Sequence, residues 1–246
     1  KNNRLYGISY PADHFFIKDL ATDTILDKGM INKAHVARTL FTDKWGNAYY
    51  ADMRGYLLKY EPARDTFIWS NDRIPADSAK TPAWLRRDGL RAWAKNEKTG
   101  AYYFQTNFSR LLQITPQEKG LGDITDLGYT LDPSPEIADT AIINTGSPNM
   151  ACGKNGRLYY WIGGHGSYLV KDSICLVECD LKTKAKKILF KRPKSEIGEA
   201  TGSNIVDKEG NLYWAAYRSI PGKSTAESGN SRAILIVFNP EKEIRK

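Results

Sequence analysis

The sequence has few of the residues that would hold it together by special chemistry. Three cysteines in 246 residues cannot build a closed disulfide framework, so packing and hydrogen bonds must carry the fold. Histidine is equally scarce: any imidazole chemistry has only His14, His35 and His165 to draw on. No stretch approaches the ~18 consecutive apolar residues of a membrane helix, which excludes a helical span. The chain opens at Lys1 with neither a Met nor a signal-peptide pattern, and no run of biased composition marks a linker. Acidic side chains are in deficit, 28 against 36 basic ones, for a net charge of +8. That balance favours a polyanionic partner: nucleic acid, anionic lipid or acidic polysaccharide. The basic residues are spread along the whole chain and no nucleic-acid-binding module is recognisable, which disfavours the first.

What is plentiful is aromatic side chains, with 14 Tyr, 8 Phe and 6 Trp, and they recur with a period. Four turns align: Asp43-Lys-Trp-Gly46-Asn47, Asn96-Glu-Lys-Thr-Gly100, Gly153-Lys-Asn-Gly156-Arg157 and Asp207-Lys-Glu-Gly210-Asn211. Their glycines stand 54, 56 and 54 residues apart, and a short aromatic strand follows each, ending at Tyr50, Phe104, Tyr160 and Trp214. Glycine suits such a turn because a tight hairpin needs positive φ there. A second series, ending at Asp19, Glu61-Pro62, Thr115-Pro116, Asp180 and Asn239-Pro240, closes a later strand in each unit with a polar stop. Strand–turn–strand units of roughly 50 residues with little helical period read as four-stranded blades of a β-propeller. A pair of packed sheets is the alternative. No Trp-Asp dipeptide occurs and Gly163-Gly164 is the single Gly-Gly, so neither the WD40 nor the kelch signature is met.

The expected fold is therefore all-β, one β-propeller domain over residues 1–246 with about five blades, near 5–42, 35–70, 90–128, 149–191 and 203–240. Lys1-Asn2-Asn3-Arg4-Leu5-Tyr6 matches Lys154-Asn155-Gly156-Arg157-Leu158-Tyr159, with Asn3 in the place of Gly156. On that match the first blade lacks its opening strand and the last its closing one, as in a seven-bladed ring short of about two blades. In a blade the glycine turns lie on one rim. The long connections, near 69–88, 125–148, 163–172 and 217–232, lie on the other, where such scaffolds carry function.

All three histidines fall on that second rim, together with Arg54, Arg91, Tyr217 and Arg218. Carboxylates are the useful shortage there: a glycosidase needs two facing the cleft, and no inner-strand opening carries one, which disfavours hydrolysis by paired acids. Cys152, His165, Cys175 and Cys179 bring a Cys3His zinc site to mind, but blade geometry separates them and the spacing fits no zinc ribbon, so core thiols are expected. No cofactor is otherwise called for.

Tyr10-Pro-Ala-Asp-His14-Phe-Phe, with His35 twenty-one residues on, resembles the seven-bladed β-propeller polysaccharide lyases, notably the ulvan lyases. The resemblance implies a secreted or periplasmic enzyme that cleaves a uronate-containing acidic polysaccharide by β-elimination, with neither nucleic acid nor membrane as partner. On that basis His14 or His35 is the base and the other the acid or orienter. Tyr10 is the nearest phenol, and Arg91 neutralises the substrate carboxylate. Arg54, His165, Tyr217 and Arg218 line the subsites. A non-catalytic propeller that binds carbohydrate or protein through the same rim is the alternative.

Overall fold

The computed structural model describes residues 3–9, 14–31, 39–51, 55–73, 90–106, 110–132, 149–163, 173–193, 195–220 and 231–243. Eighteen strands and one helical turn, α1 (Pro240–Glu243), are found among them. They form five sheets, each a meander of strands consecutive in the chain. The first contains β1 (Arg4–Ile8), β2 (His14–Asp19) and β3 (Ile25–Met30). The second contains β4 (Leu40–Thr42), β5 (Ala48–Ala51), β6 (Tyr56–Glu61) and β7 (Thr66–Arg73). The third contains β8 (Leu90–Lys95), β9 (Tyr102–Thr106), β10 (Arg110–Thr115) and β11 (Asp123–Tyr129). The fourth contains β12 (Ala151–Cys152), β13 (Leu158–Ile162), β14 (Ser173–Cys179) and β15 (Lys186–Pro193). The fifth contains β16 (Glu199–Val206), β17 (Leu212–Ser219) and β18 (Ser231–Phe238). This is a β-propeller with about five blades, and the all-β expectation holds.

The periodic glycines do what their spacing predicts. Gly46, Gly100, Gly156 and Gly210 have φ of 88°, 74°, 76° and 85°, in the left-handed region that a Cβ disfavours. Asn3, matched to Gly156 by sequence, adopts φ 52°, and asparagine is among the few side chains that tolerate this conformation. Two of the turns carry an extra brace. Asp43 Oδ1 accepts the amides of Trp45 and Asn47 while its Oδ2 accepts Asn47 Nδ2 at 2.9 Å. Asp207 repeats the pattern with Glu209 and Asn211, and also accepts the Tyr213 hydroxyl at 2.7 Å. The polar strand stops work likewise: Asp19 and Asp180 each accept two amides of the following turn.

Backbone contacts divide the chain into two compact units, residues 1–90 with 114–124 and residues 91–113 with 125–246. In the first, Phe15, Ile17, Ala48, Tyr50, Leu58 and Tyr60 form an aromatic-rich core, with Phe15 5.3 Å from both Tyr60 and Phe67. Lys59 is fully buried beside it. Its ammonium donates to the carbonyls of Gln117, Glu118 and Gly120 at 2.7–2.9 Å and lies 3.0 Å from Glu61 Oε1. In the second unit one cluster joins Ala92, Ala94 and Tyr103 to Leu158, Tyr160 and Val177. Another centres on Trp161 and Trp214, edge to face at 6.2 Å. Asn149, also fully buried, accepts the Trp161 amide at 2.7 Å and donates to the Ala200 carbonyl at 2.7 Å.

The three cysteines are buried free thiols in the first of those second-unit clusters. Cys152 and Cys179 stand on either side of Leu158, while Cys175 pairs with Ile162 farther along the strand. Burial pushes each thiol up to about 11. Two blade boundaries differ from expectation. The first sheet ends at Met30, not near 42, because Leu40–Thr42 pairs with β5 as the inner strand of the second sheet. The fifth sheet begins at Glu199, not near 203, with a bulge between Thr201 and Ile205 in the longer β16. A carboxylate residue therefore does open one inner strand, and its scarcity there is less complete than the sequence suggested.

Candidate functional site

Of the sequence-chosen residues, Tyr10, His35, Arg54 and His165 lie outside the described residues. The other four are on strands. His14 is the first residue of β2, and its place is set by a small backbone clasp. The Ser9 amide donates to the His14 carbonyl at 3.0 Å and the His14 amide to Ser9 Oγ at 3.1 Å, closing the 9–14 connection.

Across the irregular pairing of β2 with β3, His14 Nδ1 lies 2.8 Å from Asp27 Oδ2. An ionised carboxylate only accepts, so Nδ1 is the nitrogen that carries the shared proton. Asp27 is itself held by the Gly29 amide at 2.7 Å, and Gly29 turns away at φ 82°. The bond from His14 and then that amide hold the Asp27 carboxyl below the ordinary range, so it stays ionised at neutral pH. The His14 side chain is about one-third exposed, at 35%. An imidazole oriented by a carboxylate and open to solvent is the arrangement a general base needs.

Sequence reasoning missed Asp27, although Asp27-Lys-Gly29 is a legible turn signal. It also missed Gln105 at the far end of β9. Gln105 is fully buried, and among the described residues neither atom of its amide has a hydrogen-bond partner.

In the second unit, Arg91 is the second residue of β8 and is buried, at 8% exposure. Ala92 and Ala94 enter the core, so strand alternation puts Arg91, Trp93 and Lys95 on the other face. Tyr217 is half-buried on β17, and its ring crosses Gly198 so closely that a Cβ there would lie 2.2 Å from it. Arg218 is exposed and registers directly opposite exposed Arg232. Like charges facing across a strand pair are unfavourable on their own and favour an anion between them. Among the described residues no cluster of histidine, cysteine and carboxylate side chains is arranged to hold a metal, and no helix is long and apolar enough to cross a membrane.

No protein-family model and no curated protein matches the chain. Solved structures do. The dihydro-heme d1 dehydrogenase NirN aligns with TM-score 0.58 and 13% identity over 97% of this chain and 42% of its own. A luciferin-regenerating enzyme aligns at 0.52 and 12%, over 96% of this chain and 68% of its own. YCF48 bound to D1 peptide aligns at 0.50 and 11%, over 98% and 65%. The chain thus spans less than half of NirN. Identities this low establish the propeller fold and nothing finer. None of the three is a polysaccharide lyase, so the lyase resemblance rests on the sequence around His14 alone.

Proposed function

We propose that the chain is a polysaccharide lyase acting on a uronate-containing acidic polysaccharide. The observation that carries this reading is His14, held at Nδ1 by Asp27 on a side chain that is one-third exposed. In the reaction Nε2 takes H5 of the uronate. The C5–H electron pair spreads into the adjacent carboxylate and then expels O4 from C4, leaving a C4–C5 double bond. The departing oxygen receives a proton from His35 or Tyr10. Neutralising the substrate carboxylate calls for a guanidinium, whose planar fork grips both oxygens. The net charge of +8 and the Arg218–Arg232 juxtaposition suit anionic sugars. No metal or cofactor enters this chemistry, and secretion or a periplasmic location fits the substrate.

The test is ultraviolet absorbance of the unsaturated product after incubation with a panel of acidic polysaccharides. His14→Ala should lower turnover by about 10²–10⁴-fold, the usual contribution of a general base. Asp27→Asn should lower it less and leave substrate affinity unchanged. Absence of product from every polysaccharide, or full turnover in His14→Ala, sinks the lyase reading. A second reading, a non-catalytic propeller binding carbohydrate or protein, draws on the neighbour YCF48, which is bound to a peptide. It predicts saturable polysaccharide or peptide binding without turnover.

A further inference from the structure

Where β8, β12 and β16 run towards their glycine turns, the second unit holds a cleft of about 410 Å3. Its lining includes Trp93 and Lys95 from β8, Glu97 and Lys98 from the next turn, Cys152 from β12, and Lys154. None of the residues assigned to proton transfer takes part.

The lysines recur in the repeat. Lys98, Lys154 and Lys208 each stand two residues before their turn glycine, as Lys44 does in the first unit. Lys98 Nζ donates to the Lys154 carbonyl at 2.9 Å, and Lys154 Nζ to the Lys208 carbonyl. These bonds aim the ammonium groups without neutralising them, because a carbonyl carries no net charge. Neither Lys98 nor Lys154 has a carboxylate partner among the described residues. The one carboxylate in the lining, Glu97, is occupied by Lys95 at 2.6 Å. Cys152 adds no negative charge, since burial raises its thiol to about 11. The cleft thus combines an indole face with two uncompensated cations. Its volume falls within the roughly 300–1,000 Å3 usual for small-molecule sites.

We propose that this cleft binds a small ring-bearing anion: a sugar-sized ring lying against Trp93, with one phosphate or carboxylate received by Lys98 and Lys154. The site is separate from the lyase reading and is measured without turnover. Isothermal titration calorimetry of the chain would use glucose 6-phosphate, glucuronate, uncharged glucose and inorganic phosphate. Saturable binding of one or both charged sugars is expected, weakening as salt is raised, with none for glucose. The stronger of the two charged sugars identifies the anionic group. Lys98→Gln with Lys154→Gln should weaken binding at least about tenfold, since charge-assisted hydrogen bonds are lost. Both sit on exposed turns, so the melting temperature should hold. Trp93→Leu should weaken the sugar probes and leave inorganic phosphate unchanged. If Trp93→Leu fails to fold, the lysine pair alone decides. The proposal is overturned by absence of saturable binding of either charged sugar, by equal binding of glucose, or by full affinity in the double lysine variant.

Discussion

Each unit uses one buried polar side chain to tie distant stretches of backbone together, and the two do it differently. In the first unit the tie is the charged Lys59, bonded to three carbonyls of 117–120 and facing Glu61. In the second it is the neutral Asn149, joining Trp161 to Ala200. An amide satisfies its neighbours and leaves no charge behind. A buried ammonium needs a counter-ion, and the Glu61 that supplies it must be held in turn by Arg64 and the Gly120 amide. The charged tie therefore recruits compensating charges, while the neutral one calls for none.

That contrast orders the expected damage. Lys59→Met should be the most destructive change, costing about 3–5 kcal/mol, because it leaves three buried carbonyls unpaired and strips the buried Glu61 of one of its two cationic partners, with only Arg64 remaining. Chemical denaturation measures it, and adding Glu61→Gln should recover part of the loss. Asn149→Ala should cost about 2–3 kcal/mol, since a buried amide and a buried carbonyl lose their partner with no charge exposed. Equal losses from the two changes, or no recovery in the double variant, would break the comparison. Asp43→Ala, which removes a purely local brace, should cost about 1–2 kcal/mol. Gly46→Ala should cost about 1 kcal/mol through its positive φ.

The smallest effect is on the acid limb of stability. Burial raises the Asp207 carboxyl, but hydrogen bonds from Tyr213 and Asn211 outweigh it and hold it near about 2. Burial likewise raises Glu61, but bonds from Arg64 and Lys59 outweigh it, so this carboxyl stays below its usual range. A carboxyl depressed in the folded state contributes stability above its unfolded value, and that contribution is lost as pH falls through the folded one. Melting temperature should therefore drop as pH falls from about 4 towards about 2. Asp207→Asn should flatten that slope, as should Lys59→Met, which removes one cause of the Glu61 depression.

What the sequence made legible follows the same division between local and distant. The glycine turns and strand stops could be read because their causes lie within five residues: a φ requirement, or an Asp accepting its own turn's amides. Even Asn3 was legible, as the substitute for a glycine. Lys59 was not. On β6 it alternates with Leu58 and Tyr60, which enter the core, so it reads as a solvated position. The three carbonyls that receive its ammonium come from the segment 117–120, some sixty residues away. Asp27 was missed for a related reason: its value lies in facing His14 across two strands, and the β2–β3 pairing is irregular just there. Of the candidate site, the sequence pointed to His14 but not to the carboxylate that orients it.

The three thiols give the second unit a built-in clock. Cys175 and Cys179 are enclosed, Cys152 borders the cleft, and all three are almost wholly protonated at neutral pH, so a disulfide reagent added to the native protein should find next to nothing to attack at Cys175 and Cys179. Labelling there must wait for the sheets around Leu158 and Ile162 to part. Its rate then reports how often that part of the molecule opens, while the first unit, which has no cysteine, stays silent.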